Sequence, residues 1–298
     1  MSPPIVCVGD LMTDVVALAS GAMSYGSDTR ARVRVTGGGA AANTAAWLGV
    51  AGHPVAYVGR VGDDVLGRAA RADLAACGVD VRVVTDPERP TGACVVVVTP
   101  DGERSMFPDA GANAGLAPED LPPDRFVAGT HLHLSAYALL TEGSRAAALA
   151  ALARARAAGM TVSVDPGSVH PLEAVGVTRV LDWLDGVDLL LANEAEAILL
   201  GGDPDPLAAG RNLLERFPQI VVKLGPHGAA WLGRGAGQAV VVPAAEAVAV
   251  DTTGAGDSFA AGYLPAALAG AAPVDALAAG CAVAARCVAM VGGRPHRS

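Results

Sequence analysis

The sequence predicts an α/β fold with a mostly parallel central sheet, and three observations carry that prediction. Short β-branched runs alternate with longer Ala/Leu stretches along the 298 residues. The strand-like runs are mostly apolar on both faces, as in a parallel sheet covered by helices above and below. Two further segments read instead as strands with one wet face, which implies a second, smaller sheet.

In chain order, "IVCVG" is the first strand, followed by Asp10 and Asp14. Ligands of open α/β sheets gather at the carboxyl ends of strands, so acids here lie where a substrate binds. A carboxylate accepts two hydrogen bonds from vicinal hydroxyls, which suits a sugar; solvated loop acids are an equal reading of this segment. "TRARVRV", Thr29 to Val35, alternates strictly and belongs to the small sheet. Gly37 to Gly39 then precede a helix, "NTAAWLGVAG", expected to start near Ala40. Glycines let a ligand approach the backbone, and free N–H groups at a helix start favour polar or anionic atoms. Asn43 is expected to face out of the first turn; the plainer reading is a tight turn with Asn43 incidental.

"VAYVG" is a strand and "LGRAARADLAACG" a helix. "GACVVVVTPDGERSMF", Gly92 to Phe107, reads as two strands joined at Pro100-Asp101-Gly102, residues that suit a tight turn. The small sheet is thus a flap from about 15–36 and 91–108, inserted into a single domain of residues 1–298. "HLHLS" is a strand with His131 and His133 on one side; without a third ligand, a core or edge role outweighs metal binding. "EGSRAAALAALARARAAG" is a helix and "TVSVD" a strand. "DLLLANEAEA" ends a strand at Asn193 and puts Glu196 three residues on, so both project from one helical turn. They can orient Mg²⁺ through water, or form an ordinary capping box, the commoner pattern. "IVVKLGPHGAAWLG" is a hairpin in which Lys223, Gly225 and Gly228 can frame nucleotide phosphates, or in which Lys223 is merely solvated.

"VDTTGAGDSF", Val250 to Phe259, is the strongest signal. Gly254, Ala255 and Gly256 supply N–H groups at a helix start, an anion hole backed by the helix dipole. Asp257, in the first turn beside it, can take a proton from an attacking hydroxyl while those amides stabilise a phosphoryl group in transfer. Capping would explain the aspartate but not the entropically costly Gly-Ala-Gly before it. Pro265, eight residues on, is expected to kink or end the helix.

The formal net charge of −9, with no Lys/Arg run, argues against nucleic acid or an anionic membrane as partner and leaves a small ligand as the default. No apolar stretch reaches bilayer length, and "MSPPIVCVGDLM" runs into a strand without a basic leader, so a cytoplasmic protein is expected. The five cysteines are scattered, lack CxxC spacing and read as small buried hydrophobes. No GxxxxGK[ST] occurs, and the absence of G-x-G-x-x-G after the first strand disfavours a nicotinamide-dependent dehydrogenase.

With these segments in hand, the chain resembles the ribokinase-like family of sugar and nucleoside kinases, the PfkB carbohydrate kinases. "GGGAAANTA" near the N-terminus and "DTTGAGD" near the C-terminus match its two signatures, with "NEAE" and "KLG" between them in order. "DAGANAGLAPEDL", Asp109 to Leu121, resembles the stretch after the flap in ribokinases. The resemblance implies a Rossmann-like α/β domain with a β-sheet lid, and ATP and Mg²⁺ as cofactors. It makes Asp257 the base and Gly254, Ala255 and Gly256 the anion hole. Asp14, Gly38, Gly39 and Asn43 become sugar-binding, and Asn193 and Glu196 the phosphate- and magnesium-orienting pair. Lys223, Gly225 and Gly228 fall in the nucleotide site, and Asp251 and Thr253 beside an activating K⁺. Ala40 and Ala41 replace the lysine and glycine of the ribokinase GGKGAN, Met12 replaces a polar residue, and "HLSAYALL" lacks a carboxylate. These differences bear on which sugar is bound, not on phosphoryl transfer.

The expected activity is ATP-dependent phosphorylation of a primary hydroxyl of a sugar or sugar-like molecule. A nucleoside kinase is the alternative, with Met12, Met23, Tyr25, Met106 and Phe107 near the flap to pack on a base. A non-catalytic sugar-binding protein is a third reading. An exposed flap can pair with its copy, so a homodimer through the lid is expected.

Overall fold

A computed structural model describes residues 2–100 and 104–295. The elements in chain order are β1 (Ile5–Val8), β2 (Met12–Ala19), β3 (Ala31–Gly38), α1 (Ala40–Val50), β4 (Val55–Gly62), α2 (Val65–Ala76), β5 (Asp80–Asp86), β6 (Gly92–Val98) and β7 (Arg104–Asp109). There follow β8 (His131–Ser135), α3 (Tyr137–Leu140), α4 (Arg145–Ala157), β9 (Thr161–Asp165), α5 (Val169–Val175), α6 (Val177–Trp183), β10 (Leu189–Asn193), α7 (Glu194–Gly201) and α8 (Pro206–Leu213). The chain continues through β11 (Gln219–Lys223), β12 (Ala229–Gly233), β13 (Val240–Val242), α9 (Ala255–Leu268) and α10 (Pro273–Val288).

Among the described residues nine strands form the central sheet in the order β13-β12-β11-β10-β9-β8-β1-β4-β5. From β11 to β5 neighbouring strands are parallel, and β12 and β13 add antiparallel pairings at one edge. The chain winds outward from β1 in one direction and from β8 in the other. The crevice at their carboxyl ends is therefore the topological switch point, where such sheets bind ligands.

The apolar character of both strand faces has its expected consequence. One face packs on α4 to α8 through residues such as Leu132, Val164, Leu190 and Ile220. The other packs on α1, α2, α9 and α10 through Ile5, Tyr57, Leu191 and Val221. His131 and His133 lie within this buried middle. His131 shares hydrogen bonds with Thr161 Oγ1 (2.8 Å) and Ser163 Oγ (2.7 Å), and His133 Nδ1 with Ser163 Oγ (2.9 Å). Burial pushes the two imidazoles down to about 3 and about 4, so they are neutral core residues. All five cysteines are buried. Among the described residues no helix is long and apolar enough to cross a membrane.

The second sheet has the order β3-β2-β6-β7. Its strand β2 includes Asp14, so Asp14 is a strand residue rather than a loop acid. The expected turn at Pro100-Asp101-Gly102 falls at Asp101 and Gly102 outside the described residues. Registers place Thr36, Asp14, Cys94 and Pro108 on one rung and Arg34, Val16, Val96 and Met106 on the next rung of the same face. Asp14, Cys94, Val16 and Val96 are buried there. The opposite face carries Val35, Val15, Val95 and Phe107, with Val35 65% and Phe107 62% exposed.

Pro265 does not end its helix. α9 runs on to Leu268, because the proline lies in its last turn and the helix is pressed against α10. At Gly262 a Cβ would stand 2.5 Å from Ala279 O, and Gly280 faces the Phe259 ring, so two glycines bring the axes together. That packing outweighs the one backbone bond the proline omits.

Candidate active site

Asp257 enters the first turn of α9, whose start is shaped by Gly254 at φ 73°. This left-handed geometry favours glycine, and a Cβ there would meet Gly293 Cα at 2.5 Å. The amides of Gly254, Ala255 and Gly256 thus gather at the positive end of a 14-residue helix. Asn43 Nδ2 donates to Asp257 Oδ2 (2.9 Å), and Thr44 Oγ1 donates to the Asp257 carbonyl (3.3 Å). Asn43 therefore does not face out of α1: it is buried, because α1 packs directly on α9. Burial, reinforced by the nearby Asp165 carboxylate, pushes the Asp257 carboxyl up to about 7, against the opposing Asn43 bond.

Lys223, at the end of β11, is not a solvated hairpin residue. Its Nζ donates to Asp165 Oδ2 at 2.6 Å, and both side chains are largely buried. A Cβ on Gly256 would stand 3.0 Å from Lys223 Nζ and 3.9 Å from Asp165 Oδ2. The ion pair therefore lies against the glycine-lined start of α9. Burial disfavours the ammonium, but Asp165 and then Glu196 outweigh it and hold the lysine charged.

Asp165 is absent from the sequence-derived site, although it carries the same signal as Asp10, an acid at the carboxyl end of a parallel strand. Asn193 and Glu196 form the capping box in full. Asn193 Oδ1 accepts from Glu196 N (2.9 Å), while the Glu196 carboxylate accepts from Asn193 N (2.9 Å) and Nδ2 (2.6 Å). Glu196 is buried, and burial together with Asp165 raises its carboxyl to about 7.

On the other side of Asp257 lie the ends of β1 and β3. Asp10 Oδ2 accepts from Ala40 N at 2.9 Å, serving the start of α1 rather than solvent. Gly39, at φ 90°, abuts the Asp10 carbonyl, and a side chain on Gly38 would run into the Asp14 carboxylate. Burial raises the Asp14 carboxyl to about 6, opposed chiefly by Arg294. Arg294 was also invisible to motif reading, being one arginine near the C-terminus.

Asp251 and Thr253 staple the loop before α9. Asp251 Oδ1 accepts from Thr253 N (2.9 Å) and Oγ1 (2.7 Å), and Oδ2 from Gly292 N (2.9 Å). Gly225 (φ 56°) and Gly228 (φ 101°) shape the turn after Lys223, and Gly228 abuts Pro243 and Ala244. The fold thus brings Asp257, Asn43, Gly256, Lys223 and Asp165 together.

The residues fit both groups implied by the sequence. The Gly256 cradle beside an ammonium and a helix start suits phosphate oxygens. Asp165, Glu196 and Asp257 outnumber Lys223, an excess of negative charge that suits a hydrated divalent cation. Among the described residues no group of three or more His, Cys, Asp or Glu could hold a metal ion.

Residues 3–296 match the profile of the pfkB family carbohydrate kinases. A fructokinase of Klebsiella pneumoniae is 34% identical over 270 residues, covering 89% of this chain and 84% of its own. The crystal structure of adenosine kinase from Sinorhizobium meliloti superposes with a TM-score of 0.89 at 27% identity, covering 99% of this chain and 96% of that one. Arabidopsis thaliana ribokinase complexed with ribose and ATP gives a TM-score of 0.81 at 28% identity, covering 98% and 94%. With a ribokinase-like fold and a family match along nearly all its length, the chain belongs to the pfkB family and is a sugar or nucleoside kinase.

Proposed function

We propose that this kinase transfers the γ-phosphoryl group of ATP to a primary hydroxyl of a sugar or sugar-like molecule, with Asp257 as the general base. The observation that carries the reading is the pairing around Asp257: Asn43 holds its carboxylate on the acceptor side, and Gly256 next to it faces the Lys223 ammonium. Asp14, Gly38, Gly39 and Asn43 bind the acceptor, Asp14 by accepting from hydroxyls. Asp257 then removes the proton from the attacking hydroxyl. A carboxyl near 7 is a stronger base than an ordinary carboxylate and is still substantially ionised at neutral pH. The Gly254, Ala255 and Gly256 amides and Lys223 face the charge on the transferred group.

Asn193 and Glu196, with Asp165 beside them, would hold Mg²⁺ through water, and the ion would supply positive charge to the phosphate oxygens. Gly225 and Gly228 admit the nucleotide close to the backbone. The second sheet, residues of about 15–36 and 91–108, acts as a lid that excludes water from the acceptor. K⁺ is the candidate activator at the Asp251 and Thr253 loop, and the setting is the cytoplasm.

A nucleoside acceptor is the second reading, supported by the likeness to the Sinorhizobium adenosine kinase. Against it, Tyr25 is 92% exposed and Phe107 lies on the face of the second sheet opposite Asp14. A panel of sugars, phosphorylated sugars and nucleosides with Mg²⁺ and ATP, read by ADP release with and without K⁺, tests the proposal. Turnover of a sugar, raised by K⁺, is the expected result. Activity on nucleosides alone would favour the second reading, and sugar binding without ATP consumption would leave a binding protein.

The apolar rung of Val35, Val15, Val95 and Phe107, exposed at Val35, Val95 and Phe107, supports a homodimer joined through the second sheets. Light scattering should give twice the chain mass for the wild type and a shift toward monomer for Phe107→Glu; a monomeric wild type would remove this element.

A further inference from the structure

We propose that Arg294 is a positioning residue for acceptor binding, pinning the junction of the two sheets and aligning Asn43 toward Asp257. The inference rests on the reading of Asp257 as base and of Gly38 and Asn43 as acceptor residues. The Arg294 side chain is 4% exposed, and a buried guanidinium is tolerated only when its donors are met. Nη2 donates to the Gly38 carbonyl (2.7 Å), Nη1 to Asp73 Oδ2 (2.8 Å) and Nε to Asn43 Oδ1 (3.3 Å). These three acceptors come from the end of β3, from α2 and from α1, so one planar group ties the second sheet to two helices of the central domain. A side chain on Gly37 would overlap the guanidinium, so the end of β3 leaves room for it.

The bond to Asn43 has a directional consequence. With Oδ1 accepting from Arg294, the amide turns its Nδ2 to the Asp257 carboxylate. The turn preceding Arg294 binds the remaining parts of the site. Gly292 N donates to Asp251, the Gly293 carbonyl accepts from Trp47 Nε1 (2.9 Å), and Gly293 abuts Gly254. Arg294 is where this turn reaches the acceptor side. It is also the chief group opposing the burial-driven rise of the Asp14 carboxyl.

The test measures kcat and both KM values for Arg294→Ala, Arg294→Lys and Asp73→Asn, beside Asp257→Asn. Arg294→Ala is expected to raise the acceptor KM about tenfold or more and to lower kcat, with the KM for ATP within about twofold of wild type. Arg294→Lys should fall between, and added guanidinium should restore part of the loss in Arg294→Ala. Equal rises in both KM values, or a folded Arg294→Ala with the wild-type acceptor KM, would overturn the proposal. Should Arg294→Ala fail to fold, Asp73→Asn, altered on the half-exposed side of the ion pair, and Arg294→Lys carry the test. An unchanged acceptor KM in both then overturns it. Persistent turnover in Asp257→Asn would refute the base assignment alone, leaving the acceptor KM of the Arg294 variants to be read separately.

Discussion

Asp257→Asn is expected to lower kcat by about 10²- to 10⁴-fold, the range contributed by a positioned general base, with the KM for ATP little changed. Asparagine keeps the shape of the side chain and its place at the start of α9 but cannot take a proton. The loss should therefore appear in the chemical step and not in the fold. The wild-type kcat should fall as pH drops through about 7, because burial first and Asp165 second raise the Asp257 carboxyl to that value and the protonated acid is no base.

Linkage gives an independent check on the same group. The folded pKa lies above the unfolded one, so the folded state binds the extra proton between about pH 4 and 7. Stability from this residue is thus greatest at low pH and is lost as pH rises through 7. Asp257→Asn should accordingly raise the melting temperature relative to wild type at pH 8, and by much less at pH 5. A variant that keeps wild-type kcat, or a rate profile flat from pH 5 to 8, would exclude Asp257 as the base.

Gly254→Ala should be the most damaging change that removes no functional side chain. Alanine at φ 73° costs about 1–2 kcal/mol from backbone conformation alone. Its Cβ would also stand 2.5 Å from Gly293 Cα, and that backbone is held by Trp47 and, one residue earlier, by Asp251. Relief requires the start of α9 to move, which displaces the amides proposed to face the phosphoryl group. Loss of one such donor lowers turnover by about 10²- to 10³-fold. Gly202→Ala is the matched control: φ is 69° and no atom lies within 4 Å of the new Cβ, so it should lower the melting temperature modestly and leave kcat unchanged. Equal kinetics for the two variants would show that the α9 start does not hold the transferred group.

Much of the fold was legible because periodicity reports local burial directly. Strands apolar on both faces can be buried only between helix layers, so "IVCVG" and "DLLLAN" announce the central sheet without any long-range information. The start of α1 after three glycines and the Asn193–Glu196 capping box are likewise local, since each is settled within four residues. The strand that holds Asp14 is not legible locally, because "MTDVVALA" is fixed by pairing with β3 and β6, and pairing partners leave no local trace. Pro265 does not end α9 for a related reason: the propensity that argues against a helix is local, whereas the α9–α10 packing that retains it is not.

By itself the sequence determined the α/β class, the small second sheet and the segments able to carry phosphoryl-transfer chemistry. It did so because burial period, turn chemistry and glycine-rich helix starts act over a few residues. Only the tertiary structure decided that Asn43 turns inward to Asp257, that Lys223 is held by Asp165 beneath Gly256, and that Arg294 reaches back to Gly38. Those contacts join residues 214, 58 and 256 positions apart. Their partners are chosen by strand order and helix packing, and a single side chain in a sequence carries no record of what the fold will bring against it.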